Sequence, residues 1–147
     1  MKGPRAYRIV DADWSRDREG IRAVRHAVFV VEQGIPESLE WDGRDAACHH
    51  VLALADVDGI VATGRLLADG RIGRMAVLQE WRGCGVGREL LGHLQRQASA
   101  DGLARVYVHA QVEVADFYRR AGFQATGEPY IVAGIPHVEM HKALQAC

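Results

Sequence analysis

Apolar positions along the chain change period several times, and each change marks an element. Tyr7–Asp11 carries the short alternating pattern of a first strand. Asp13 and Ser15 stand where a helix is capped. Ile21, Val24, Val28 and Val31 then recur at helical spacing, with Phe29 widening the stripe. Gly34 and Pro36 stop this helix. From Ile35 to His50 the periodicity vanishes, which predicts an irregular loop with at most one helical turn, tethered by Leu39 and Trp41.

From Val51 the period is two. Val51–Ala55, the turn Asp56-Val57-Asp58-Gly59 and Ile60–Leu67 predict a hairpin, and Ala68-Asp69-Gly70 leads into a strand at Arg71–Val77. A long helix follows from near Gly85. Val86, Leu90, Leu91 and Leu94 form its buried stripe, with Arg88, Glu89, Arg96 and Gln97 on the solvated side. After Asp101-Gly102 come a strand at Val106–Ala110 and a short helix at Val114–Ala121 closed by Gly122. A last hairpin, Phe123–Ile131 with His137–Leu144, turns at Ala133-Gly134. The order β-α-β-β-β-α-β-α-β-β, without repeats or linkers, predicts one α/β (mixed α+β) domain over residues 1–147. Its sheet is mixed and flanked by helices.

Composition narrows the class. A chain of 147 residues, 48% apolar and 25% charged, matches a globular domain that needs neither metal nor disulfide to fold. Eighteen basic against nineteen acidic residues give a net charge of −1, which argues against nucleic acid as a partner. The three cysteines form no C-x-x-C pair. No apolar run reaches signal-peptide or membrane-span length, so the expected compartment is the cytoplasm.

Candidate chemistry concentrates at Arg82-Gly83-Cys84-Gly85-Val86-Gly87, between a strand and the longest helix. Glycines let the backbone approach a ligand, and free amides at a helix start attract anions. Between residues 65 and 96 six arginines face three acids, a local charge of +3. The dinucleotide pattern G-x-G-x-x-G fails at Arg88, and no P-loop lysine follows. Glycine spacing by itself fits a plain strand–helix turn equally well.

R-x-x-G-x-G opening a helix after a strand resembles motif A of the GNAT acetyltransferases. Arg71–Ala100 resembles their fourth strand, pyrophosphate loop and third helix. Val106–Phe123 resembles their fifth strand and next helix, ending in Asp116-Phe117-Tyr118-Arg119-Arg120-Ala121-Gly122-Phe123. Val28-Phe29-Val30-Val31-Glu32-Gln33-Gly34 and Gly134-Ile135-Pro136-His137 resemble the ElaA-like branch. The resemblance implies a mostly antiparallel sheet splayed between its fourth and fifth strands. It also implies acetyl-CoA as donor, coenzyme A as product, and an amine acceptor attacking directly through a tetrahedral intermediate.

It further implies roles. Tyr118 matches the proton donor to the leaving thiolate, and the Val77 amide, within Met75-Ala76-Val77, matches the oxyanion donor and pantetheine edge. Arg82, Gly83, Cys84, Gly85, Val86, Gly87 and Arg88 match the pyrophosphate loop, with Phe117 and Tyr118 beside the donor. Gln111 stands where many relatives carry asparagine. On sequence alone, Tyr118 also reads as a core tyrosine beside Phe117 and Phe123. The base stays open among Glu32, His49, His50, His109, His137 and a water relay.

Two further readings compete. Cys84, near a helix start and two arginines, could act as a nucleophile, although no Cys/His signature supports it. A module that senses acetyl-CoA without transfer would keep the glycine loop and dispense with Tyr118. Cys48-His49-His50 and His137-x-x-x-His141 lack metal-ligand spacing, so no metal is expected. Glu32, Glu37, Glu40, Asp42 and Asp45 give the Gln33–His50 segment an acidic cast suited to a cationic amine, and the exposed edge of the last hairpin suits a homodimer.

Overall fold

The computed structural model describes residues 6–144. Strands β1 (Tyr7–Asp11), β2 (His49–Ala55), β3 (Gly59–Leu66) and β4 (Ile72–Val77) form an antiparallel sheet in that order. Strands β5 (Arg105–Gln111), β7 (Ile135–Ala143) and β6 (Gln124–Val132) form a second, in the order β5-β7-β6. The sheets touch through one parallel bridge, Arg71 to Tyr107, where the Tyr107 N–H donates to Gly70 O at 3.1 Å. Beyond that bridge β4 and β5 diverge. The predicted splay is present.

Helices cover both faces. On β4, Met75 and Val77 pack with the main core, whereas Ala76 between them packs with Val24 and Val28. Alternation along a strand puts those groups on opposite faces. The main core includes Leu90, Leu91 and Leu94 of α3 (Val86–Ala100), all fully buried. The opposite face takes α1 (Trp14–Arg25), whose Asp13 cap accepts from the Arg16 N–H at 3.2 Å. The last hairpin turns through Ala133 (φ 53°) and Gly134 (φ 76°), a two-residue reversal with both residues left-handed.

Two expectations fail after α1. The chain continues as a π-helix over His26–Glu32, and the Gln33 N–H donates to Val28 O, five residues back. An extra residue in the turn rotates everything beyond it. Val28 is therefore buried while Val31 is 68% exposed, outside the stripe its spacing predicts. Leu39, expected as a tether, is 50% exposed on the short helix α2 (Glu37–Glu40).

Charge does the tethering instead. Buried Arg25 donates to Glu40 and to Asp45, each at 2.7 Å. Buried Arg65 bonds Asp45 at 2.9 Å and Asp42 at 3.0 Å. Arg74 reaches the carbonyls of Leu39 and Glu40 and lies 3.3 Å from the Glu40 carboxylate. Three guanidiniums against three carboxylates leave this wall neutral.

Candidate active site

The strand feeding the glycine turn is bulged. Thr63 pairs with Ala76 and Arg65 with Gly73, so Arg74 and Met75 together oppose Gly64. Arg74 takes φ 50°, a left-handed strain its contacts with the 39–42 segment hold in place. Past the bulge, the Leu78 N–H donates to Val61 O at 2.9 Å, and Val77 lies opposite Ala62. Hydrogen-bonded and non-hydrogen-bonded pairs alternate, which turns the Val77 N–H and C=O away from β3 toward the splay. The Val77 C=O accepts from Arg82 Nε at 2.9 Å.

After a 3₁₀ turn at Gln79–Trp81, Gly83 (φ 80°) and Gly85 (φ 84°) take left-handed conformations, and Gly85 caps α3 without any side-chain acceptor. The first backbone bond of that helix runs from the Glu89 N–H to Gly85 O. The amides of Val86, Gly87 and Arg88 therefore have no intrahelical partner. They open on a cleft of about 570 Å³ lined by Val77, Trp81, Gly83, Gly85, Val86, Gly87 and Phe117, and rimmed by Arg82, Arg88 and Arg120. Among the described residues no carboxylate lines it. Unpaired amides at a helix start, three arginines and an apolar floor fit a long ligand with a diphosphate at one end.

Beyond Phe117 lies a second cavity of about 200 Å³ in the splay, between Ile72–Met75 of β4 and Val108–Gln111 of β5. Tyr118 on α4 (Ala115–Arg120) separates the two. Its ring meets Phe117 edge-on at 5.1 Å, and its hydroxyl lies 4.0 Å from Met75 Sδ. Burial pushes the phenol up to about 12, so it carries its proton throughout the neutral range.

The predicted residues divide between these spaces. Val77, Arg82, Gly83, Gly85, Val86, Gly87, Arg88 and Phe117 line the larger cleft, and Met75, Gln111 and Tyr118 line the smaller. Ala76 faces α1, and Cys84 is exposed and lines neither. Gln111 donates to Gln33 Oε1 at 2.8 Å, bracing β5 against the end of the first helix. Arg82 also binds Glu32 at 2.8 Å. Trp81, Arg120 and Phe29 also line these spaces without being assigned to the site from sequence. The arginine of the Tyr118 phrase was the available signal.

The base candidates separate as sharply. Glu32 is paired with Arg82, and His49 pairs with Asp11 away from both spaces. His50 is buried, stacked on Trp14, and bonded to Asp45 O at 2.8 Å; burial pushes its imidazole down. His109 and His137 both line the smaller cavity. His109 Nδ1 meets the Tyr130 hydroxyl at 2.7 Å and its Nε2 lies 3.4 Å from Glu139; burial, then Arg71, pushes it down. His137 Nδ1 donates to Ile135 O at 2.7 Å, which leaves the lone pair on Nε2.

The acidic cast of the 33–50 segment does not survive. Glu40 and Asp45 are buried against Arg25, Asp42 binds Arg65, Glu37 pairs with His26 at 3.1 Å, and Glu32 binds Arg82. None is left as an unpaired lining charge. The Arg65 guanidinium holds Asp42 well below the usual carboxylate range. Burial opposes the same effect at Asp45, yet Arg25 and Arg65 hold it down, while burial pushes Glu40 up against Arg25.

A splayed sheet with an amide cradle at one end of the gap and a proton-bearing tyrosine within it defines an acyltransferase that uses an acyl-CoA thioester. The family model for the GNAT acetyltransferase domain matches residues 15–144, and the chain belongs to that family. It is 32% identical over 123 residues to YjcF of Bacillus subtilis, an uncharacterized N-acetyltransferase, covering 81% of this chain and 87% of that protein. The crystal structure of Escherichia coli ElaA superposes with a TM-score of 0.83 at 30% identity, over 92% of this chain and 99% of that one. An acyl-CoA N-acyltransferase from Pseudomonas aeruginosa gives a TM-score of 0.83 at 30% identity, over 94% and 100% of the two chains. The ElaA-like resemblance of the sequence holds. Among the described residues no helix is long and apolar enough to cross a membrane.

Proposed function

We propose that the chain transfers the acetyl group of acetyl-CoA to a primary amine, the free amine attacking the thioester directly through a tetrahedral intermediate. The observation that carries this reading is the arginine-rimmed cleft, lined by no carboxylate among the described residues, beside the smaller cavity that Tyr118 lines. The amides of Val86, Gly87 and Arg88, with Gly83 and Gly85, would cradle the diphosphate, and Arg82 and Arg88 would flank it. Met75-Ala76-Val77 would edge the pantetheine arm, with Phe117 beneath it. Gln111 would border the donor from the acceptor side.

In the reaction the Val77 N–H, free of β3, stabilises the oxyanion. Tyr118 gives its proton to the departing thiolate and recovers it from solvent. The amine must first lose a proton, and His137 is the better placed acceptor because its lone pair lies on the nitrogen not committed to Ile135. His109, kept neutral by burial, stands in the same cavity. The free edge of β6, with Ile131 and Val132 exposed, would suit a homodimer contact.

The test is acetyl-CoA consumption over polyamines, aminoglycosides, amino acids and peptide N-termini, read by thiol release and product mass. Amine-dependent thiol release with an acetylated amine is the expected result. Tight coenzyme A binding without turnover on any amine would overturn the proposal in favour of a sensing module.

A further inference from the structure

Away from both clefts, three side chains from three elements converge. Asp11 ends β1, His49 begins β2, and His93 lies on α3 above them. His49 Nε2 is 3.0 Å and His93 Nε2 2.7 Å from the same oxygen, Asp11 Oδ1. All three donor atoms lie within 4.8 Å of one another. None of the three lines the acyl-transfer cleft or the adjoining cavity.

We propose that Asp11, His49 and His93 form a site for a divalent cation of the zinc class. The donor set is two imidazole nitrogens and one carboxylate oxygen, which selects zinc-like ions over magnesium or calcium, whose preferred ligands are all oxygen. A tetrahedral centre with metal–ligand bonds near 2.1 Å has ligand edges of about 3.4 Å. The two observed contacts must open by roughly half an ångström to meet that edge. Asp11 can make this movement, because its side chain is 60% exposed. The same exposure leaves the fourth position to water. A cation here ties α3 to the edge of the first sheet through β1 and β2, so its expected effect is on stability and not on the transfer step.

The experiment uses the full chain stripped with a chelator. Cobalt titration should develop the visible absorption of a low-coordinate Co²⁺ centre, and zinc should displace it. Zinc at roughly 100-fold above its Kd should raise Tm by about 5–10 °C, and magnesium should not. Binding should weaken in acid, where protons compete for the imidazole lone pairs. His93→Ala and His49→Ala should each weaken cobalt binding at least about 10-fold and abolish the zinc shift, while metal-free acetyl transfer is retained. Should His93→Ala misfold by circular dichroism, Asp11→Asn and His93→Gln serve in its place. Absence of any cobalt spectrum, an unchanged Kd in both histidine variants, or loss of binding on His141→Ala instead would each overturn the site.

Discussion

The two sides of the cleft are built by opposite means. On the side proposed for the donor, contiguous backbone does the work: left-handed glycines, unpaired amides and a helix start, all between Gly83 and Arg88. On the side proposed for the acceptor, side chains distant in sequence do it. Arg25 binds partners 15 and 20 residues away, and Arg65 reaches back 23 residues to Asp42. A backbone site tolerates side-chain variation and writes itself locally into the sequence as glycine. A side-chain network tolerates little, and no local pattern announces it. Substitutions should therefore damage the two sides in different currencies, binding on one and folding on the other.

The largest effect should come from Arg25→Ala. It takes one cation from the buried carboxylates of Glu40 and Asp45, leaving Glu40 to Arg74 and Asp45 to Arg65, and removing one partner of a buried pair costs about 3–5 kcal/mol. Urea unfolding should show the loss, and a midpoint within error of the parent would remove the network from the stability account. Its pH dependence has a defined sign. Arg65 holds Asp42 down, and Arg25 and Arg65 hold Asp45 down against burial. Stability from this pair is present above the unfolded carboxylate pKa of about 3.9 and lost as pH falls through the folded values. Glu40, pushed up by burial, contributes with the opposite sign. The parent should unfold in acid below about pH 4, with a shallower acid limb in Arg25→Ala.

Tyr118→Phe comes next and should separate the two currencies. Among the described residues the hydroxyl has only the weak sulfur contact at 4.0 Å, so folding should be nearly unchanged. Loss of the proton donor should cost on the order of 10²-fold in kcat, about 2.7 kcal/mol. Equal stability with equal kcat would leave Tyr118 as a core residue, the other reading its neighbours allow.

Gly85→Ala should act mainly on the donor. A Cβ there meets nothing within 4 Å, so the folding cost is the left-handed φ of 84°, about 1–2 kcal/mol. Its methyl would also obstruct an anion at the amides, raising the acyl-CoA KM by about 10-fold, or roughly 1.4 kcal/mol. Cys84→Ala, one residue earlier, removes an exposed thiol outside the cleft and should leave turnover intact. Near-total loss in that variant would reinstate covalent catalysis.

This contrast also explains what was legible in the sequence. The element order, both hairpins and the glycine turn that opens the long helix follow from period, turn residues and local glycine spacing. The placement of Val31 was not legible, because the π-turn has no periodic signature of its own and shifts every residue after it. Nor was the wall at 37–45, whose four acids suggest an attractive surface for a cation. Glu40, Asp42 and Asp45 find their partners in Arg25, Arg65 and Arg74, the last two counted by sequence toward the local +3 around the glycine turn, and pairing across such separations is set only by the tertiary fold. His109 and His137 were separable from His49 and His50 on the same grounds, only once β5 and β7 lay side by side.

The smallest expected effect is the most discriminating, because Glu32 joins the two sides. Its carboxylate binds Arg82 at 2.8 Å, with both side chains more than a third exposed or nearly so. A pair this open contributes at most about 1 kcal/mol to folding. Arg82 is held at the same time by the Val77 carbonyl, on the residue whose amide would meet the oxyanion. Glu32→Gln keeps the shape, weakens that hold and frees part of the Arg82 charge for a diphosphate. The expected outcome is an unchanged kcat, an unchanged acid limb of the pH–rate profile, and an acyl-CoA KM lowered by a few-fold at most. A general base at this position would behave otherwise, losing about 10²-fold in kcat together with the acid limb. That result would move the base from the histidines of β5 and β7 to the end of the first helix, and the acceptor would then have to enter from the donor side.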